Sequence, residues 1–159
     1  VKIKLRSYVP DDFEPLYEID QTCYPPEVAY SRRELRAYMR FEGADCVVAE
    51  DSGKPIGFCL TANRSGQGYI VTIDVLESHR GNHVGSLLLE ESERRLALNG
   101  VSEIDLETAT DKQSVVAFWL KHGYRKRGIK KGYYPGGRDA FKMVKHLGKQ
   151  NKTQGRGFE

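Results

Sequence analysis

Cysteine is scarce in this chain: Cys23, Cys46 and Cys59 are the three in 159 residues, with an odd total and no Cys-x-x-Cys spacing. That pattern argues against a disulfide framework and against a thiolate metal cluster, so reduced thiols and no metal are expected. No apolar run approaches the ~20 residues that a membrane-spanning helix needs. The chain does not open on a basic stretch followed by an apolar one, and a cytoplasmic protein with no membrane partner is expected. A large excess of one charge is missing too. The formal charge of +3 is too mild to argue for nucleic acid, and no direct nucleic-acid binding is expected. The densest basic stretch, Arg125-Lys126-Arg127 with Lys130-Lys131, reads as a solvated edge.

What is present fits a folded protein, since 39% hydrophobic residues are enough to fill one core beside 30% charged ones. Residues 1–147 read as a single domain and 148–159 as a polar, glycine-bearing, disordered tail. Ile3 and Leu5 alternate with charged neighbours in an opening strand. Pro10-Asp11-Asp12 then starts a helix, with Asp11 as cap and Glu14 three residues on. Cys23-Tyr24-Pro25-Pro26 interrupts the helical pattern, because paired prolines forbid the ladder. Ser31-Arg32-Arg33-Glu34 is a capping box for a second helix.

Cys46–Ala49 and Ile56–Leu60 flank the hairpin turn Asp51-Ser52-Gly53-Lys54. Ser65-Gly66-Gln67-Gly68 turns into a strand at Tyr69–Leu76. Val84, Leu88, Ser92 and Leu96 step by four along one helix face, and Asn99-Gly100 ends that helix. Glu103–Thr108 is a short strand. Thr110 and Gln113 bracket the start of a further helix as its cap, and Gly123 stops it. Tyr124–Arg127 and Ala140–His146 read as two last strands around a Tyr-Tyr-Pro-Gly-Gly loop. The fold class is α/β (α+β), in the order β-α-α-β-β-β-α-β-α-β-β. The sheet should be mixed, antiparallel first and then with one parallel pair.

The most informative segment is Arg80-Gly81-Asn82-His83-Val84-Gly85-Ser86, a glycine-bearing turn between a strand and a helix. Such a turn presents unpaired backbone N–H groups at the positive end of the helix dipole, a seat for a phosphate or pyrophosphate. No Gly-Lys-Ser/Thr follows it, which argues against a P-loop nucleotide enzyme.

The element order, with this turn after the fourth strand, resembles the GNAT acetyltransferase superfamily from about Val1 to about Leu147. The family signature is Arg/Gln-x-x-Gly-x-Gly/Ala, whose amides hold the pyrophosphate of acetyl-CoA. Arg80 and Gly85 agree with it, and His83 stands where the first signature glycine would be. That departure matters if position 83 needs a positive φ or if the ring fills the phosphate space. Leu106-Glu107, Ala117-Phe118-Trp119, Gly123-Tyr124 and Tyr133-Tyr134-Pro135 are similar to the ribosomal-protein-alanine N-acetyltransferase (RimI-like) branch. The resemblance implies acetyl-CoA as acyl donor, held by Ile73, Val75, Arg80, Gly81, Asn82, His83, Val84, Gly85, Ser86 and Lys112. Lys112 replaces the branch's asparagine. It implies Glu107 as general base, whereas the branch's acid tyrosine is replaced by Trp119, whose indole cannot protonate a thiolate.

The implied reaction is acetyl transfer from acetyl-CoA to a primary amine, with a protein N-terminal α-amine, a ribosomal protein's included, as the expected acceptor. Pantetheine would lie between strands splayed at Val75 and Glu107, with a backbone N–H near Ile73 or Val75 facing the oxyanion. Tyr124, Tyr133 and Tyr134 are alternative acids. A CoA thiol, with an acidity near ~8.5, also leaves tolerably as thiolate. By strand alternation Glu107 lies opposite Leu106, and it reads either as the base or as a solvated or ion-paired carboxylate. Trp119 reads as core. Rival readings are acetylation of a lysine or small-molecule amine, or a non-catalytic acyl-CoA-binding, ribosome-associated protein.

Overall fold

The structure, a computed structural model, describes residues 2–148, so all of the expected tail beyond Gly148 lies outside the described residues. The elements are β1 (Ile3–Ser7), α1 (Phe13–Cys23), α2 (Arg32–Arg40), β2 (Ala44–Asp51), β3 (Lys54–Arg64) and β4 (Gln67–Val75). They continue as α3 (Val84–Leu98), β5 (Glu103–Ala109), α4 (Gln113–Lys121), β6 (Arg125–Tyr134) and β7 (Arg138–His146). This is the expected α/β order. Strands lie in the order β1-β2-β3-β4-β5-β7-β6. The β4–β5 pair is parallel, with Tyr69 opposite Asp105, and the β1–β2, β2–β3, β5–β7 and β6–β7 pairs are antiparallel. Among the described residues no helix is long and apolar enough to cross a membrane.

Two compact units divide the chain: Val1–Ala62 with Ile70–Arg95, and Asn63–Tyr69 with Leu96 onward. In the first, Phe13, Leu16 and Ile19 recur at three-residue steps along α1 and meet Leu35 of α2 over Cys46, Val48, Phe58 and Leu60. Burying a Leu or Phe side chain of this kind contributes roughly 1.5–3 kcal/mol. The α2 capping box forms as expected: Ser31 Oγ accepts from the Glu34 N–H at 3.1 Å, and Glu34 Oε1 from the Ser31 N–H at 3.0 Å. Gly57 is fixed by close approach, because a Cβ there would lie 2.7 Å from the Asp74 carbonyl oxygen on β4. The α3 stripe is also as expected, with Val84, Leu88, Ser92 and Leu96 all buried.

In the second unit β5 alternates cleanly. Ile104, Leu106 and Thr108 are buried, and Glu103, Asp105 and Glu107 line the other face. Trp119 is buried, edge-on to Tyr124 at 5.2 Å, so its reading as a core residue holds.

Four local expectations are corrected. Asp11 does not cap α1. Pro10–Asp12 winds a 3-10 turn, and Asp12 instead accepts the Val9 N–H at 2.9 Å while Arg6 grips its carboxylate at 2.8 and 2.9 Å. That charge-assisted fork outcompetes an exposed cap. Thr110 does not cap α4 either. Its own N–H donates to the Asp139 carbonyl at 3.1 Å, which commits it to the β7 side. The turn before β4 is only Ser65-Gly66, both at positive φ. Gly68 lies inside the strand, where a Cβ would meet Val101 Cγ1 at 2.9 Å. Finally, Tyr124 is outside β6 and buried, while Tyr133 and Tyr134 belong to that strand rather than to a loop.

Candidate active site

In the first unit, β4 delivers the chain to Arg80–Ser86. Gly81 has φ +83° and His83 φ +60°, so the position of the first signature glycine does take the left-handed conformation. Histidine is among the few non-glycine residues enriched there, yet the conformation still costs of order 1 kcal/mol. The first bond into α3 runs from the Leu87 N–H to the His83 carbonyl at 3.0 Å. The amides of Val84 and Gly85 precede that bond, at the positive end of a helix of 15 residues. A Cβ on Gly81 would meet nothing within 4 Å. The segment therefore fits an anionic ligand: its amides point out of the helix and its exposed residues leave room.

Arg80 turns back to the end of β4, its Nε donating to the Val75 carbonyl at 3.0 Å. The Cys23 thiol donates to the same carbonyl at 3.5 Å. Ile73 and Val75 are half-buried on the β4 face opposite buried Thr72 and Asp74.

The second unit holds a compact polar cluster. Glu107 Oε1 accepts from the Tyr69 hydroxyl at 2.5 Å and from the Tyr133 hydroxyl at 3.3 Å. Its Oε2 accepts from Lys130 Nζ at 2.8 Å. The Glu107 side chain is only 7% exposed, whereas Lys130 is 45% exposed. Burial pushes the Glu107 carboxyl up, but the hydrogen bonds from Lys130 and Tyr69 and the lysine charge outweigh it, leaving the pKa below the usual glutamate range. Tyr69 is pushed upward by burial and by its bond to Glu107, so it stays a phenol and a donor. Burial, then the neighbouring Tyr133 and Glu107, push Tyr134 up to about 12.

The expected catalytic residues Glu107 and Tyr133 are thus brought together, and Tyr134 packs edge-on against Tyr133 at 4.9 Å. The expected ligand residues Ile73, Val75 and Arg80–Ser86 share the first unit, and Lys112 sits exposed just before α4 in the second. Two residues of the cluster stood outside the expected site set, Tyr69 and Lys130. Tyr69 joins through the parallel β4–β5 register, which no local pattern encodes. Lys130 and Tyr133, three apart, would fall on opposite faces of a regular strand. A register shift between Lys130 and Tyr134 lets both reach Glu107.

Comparison with known proteins places the chain in a family. The profile of the Acetyltransferase (GNAT) family matches residues 13–124. An N-alpha-acetyltransferase of Saccharolobus solfataricus is 33% identical over 158 residues, covering 90% of this chain and 92% of the relative. Two solved structures share the fold. The ribosomal-protein-S18-alanine N-acetyltransferase of Escherichia coli superposes with TM-score 0.86 at 21% identity, over 93% of this chain and 96% of that one. Ard1 of Thermoplasma volcanium gives TM-score 0.86 at 24% identity, over 94% and 100%. The chain belongs to the GNAT acetyltransferase family and is an acetyl-CoA-dependent N-acetyltransferase.

Proposed function

We propose that the protein transfers acetyl from acetyl-CoA to the α-amine of a protein N-terminus, with Glu107 as the proton acceptor. The observation that carries this reading is the Glu107 carboxylate, nearly enclosed and held by Tyr69, Tyr133 and Lys130. The name of the Saccharolobus relative, identical at 33% of positions, supports the acceptor class. Since the family profile spans 13–124, we read 1–147 as one acetyltransferase domain.

In this reading the pyrophosphate rests on the amides that open α3, with Arg80, Gly81, Asn82, His83 and Ser86 around it. Ile73 and Val75 line the pantetheine arm. An α-amine has a pKa near ~7.7–8.0, so much of it is unprotonated at neutral pH. On attack its nitrogen becomes cationic and strongly acidic, and a carboxylate of low basicity then suffices to take the proton. The C–S bond breaks and CoA departs as thiolate. Tyr133 is committed to Glu107 and Tyr134 has its pKa pushed up to about 12, so neither is a good proton source for a thiol near ~8.5.

A peptide array with labelled acetyl-CoA tests the reading. It should label free N-termini, ribosomal-protein N-termini among them, in preference to N-blocked peptides bearing lysine. Binding of acetyl-CoA with no CoA release on any amine would instead establish the non-catalytic binder.

A further inference from the structure

The contact of Lys130 with Glu107 bears on which amine the site accepts, an inference that rests on Glu107 being the proton acceptor. A carboxylate offers about four lone-pair positions. Tyr69 and Tyr133 both use Oε1, and Lys130 uses Oε2, leaving room for one more donor at Oε2. The pair is also electrically complete, because the ammonium sits 2.8 Å from a side chain that is 7% exposed.

A second cation arriving there gains little Coulomb energy and loses its hydration. A neutral amine loses far less and can still donate one N–H to Oε2. The other groups on this face do not change the balance. Lys142 lies opposite Glu107 across the β5–β7 ladder and adds positive charge, while Asp105, two residues back on β5, accepts from Gln67 at 2.9 Å.

We propose that Lys130 determines the acceptor class: by neutralising Glu107 it admits the amine only in its unprotonated form, and so selects α-amines over lysine ε-amines. The size of the effect follows from acidity. Near pH 7.4 an α-amine is neutral in roughly a quarter of molecules and a lysine side chain in roughly one in a thousand, a gap of about 10²–10³-fold. Without the Lys130 charge, the enclosed Glu107 carboxylate would keep only its two phenol donors and become a stronger base, able both to hold the lysine ammonium as its counter-ion and to draw off its proton as the nitrogen attacks, so that part of that gap would close.

The experiment compares kcat/KM for a lysine-free peptide with a free N-terminus and for an N-acetylated peptide with one lysine. Wild type, Lys130→Arg and Lys130→Met are measured with saturating acetyl-CoA. Wild type and Lys130→Arg should favour the α-amine by 10²-fold or more. Lys130→Met should lower that ratio at least tenfold, mainly through a lower KM for the lysine peptide, with the KM for acetyl-CoA unchanged. A ratio that stays constant in Lys130→Met while α-amine turnover persists overturns the role of Lys130. Wild-type rates in Glu107→Gln with both peptides would overturn the underlying reading, and this one with it.

Discussion

The carboxyl groups of Asp74, on β4, and Asp20, on α1, act on one another electrostatically, and neither residue is more than 1% exposed. Thr72 Oγ1 donates to Asp74 Oδ1 at 2.6 Å, and the Tyr30 N–H donates to Asp20 Oδ2 at 2.8 Å. The remaining oxygens, Asp20 Oδ1 and Asp74 Oδ2, are buried without a hydrogen-bond partner among the described residues. Two carboxyls buried near one another cannot both be charged cheaply, and a proton on Asp74 relieves the repulsion.

That proton makes stability depend on pH in a definite direction. Burial first, and then the neighbouring Asp20, raise the Asp74 pKa well above its ordinary value. A carboxyl with a raised folded pKa contributes stability that is complete below its unfolded pKa, about 3.9, and is lost as pH rises through the folded value. Wild-type stability should therefore fall as pH rises from about 3.9 through that value. Asp74→Asn replaces the titrating carboxyl with a permanently neutral amide and should flatten this limb. Melting temperature against pH from 5 to 9 checks it, and an unchanged slope in the variant refutes it.

The opposite limb belongs to Glu91, which Arg94 and Arg95 hold down to about 2. Its contribution is present above about 4.3 and is lost as pH falls through the lowered value. Each of these helix-surface pairs is worth only a few tenths of a kcal/mol, roughly 0.2–0.5. Glu91→Gln should accordingly lower the melting temperature at pH 8 by a few degrees at most and converge with wild type as pH falls toward about 2, which melting temperature against pH reads.

His83 at φ +60° carries strain that glycine would not. Removing a cost of about 1–2 kcal/mol while adding glycine's unfolded-state entropy of about 0.5–1 leaves a gain of up to about 1 kcal/mol. His83→Gly should thus melt a few degrees higher and bind acetyl-CoA at least as tightly. Gly85→Glu should do the reverse to the ligand. A carboxylate among the α3 amides should weaken acetyl-CoA binding severely, with little change in melting temperature of the free protein. Calorimetry on both variants reads the two effects, and unaltered affinity in Gly85→Glu would remove the phosphate seat from this turn.

Unaided departure of the thiolate predicts that Tyr134→Phe changes kcat by no more than a few-fold. Tyr133→Phe removes one of three donors to Glu107 and should be similarly mild. A sharp fall in kcat in either, without a matching change in acetyl-CoA affinity, would show a phenol acting as the acid. Trp119→Tyr should not accelerate the enzyme. Trp119 is buried against Phe118 and Tyr124, so the new hydroxyl would enter a core without a partner.

Elements written in short-range chemistry were legible in the sequence. The Ser31–Glu34 box, the four-residue step from Val84 to Leu96 and the alternation that sets Glu107 opposite Leu106 all depend on neighbours in the chain. Features that depend on distant partners were not. Asp12 rather than Asp11 closes the first turn because Arg6 reaches it from β1. Thr110 fails as a cap because β7 takes its amide. Lys130 reaches Glu107 together with Tyr133 because β6 slips register, and a slip of one residue reverses which side chains share a face.

Single-turnover kinetics of Glu107→Gln address the central claim. The substitution keeps the side chain's shape and one acceptor for Tyr69, and removes both its charge and its basicity. With saturating acetyl-CoA and a free-N-terminus peptide, kcat should fall by roughly 10²–10⁴-fold at neutral pH. Acetyl-CoA affinity and the far-ultraviolet spectrum should remain those of the wild type. A variant that keeps the wild-type rate and pH profile would contradict the account and pass the proton-accepting role to another group.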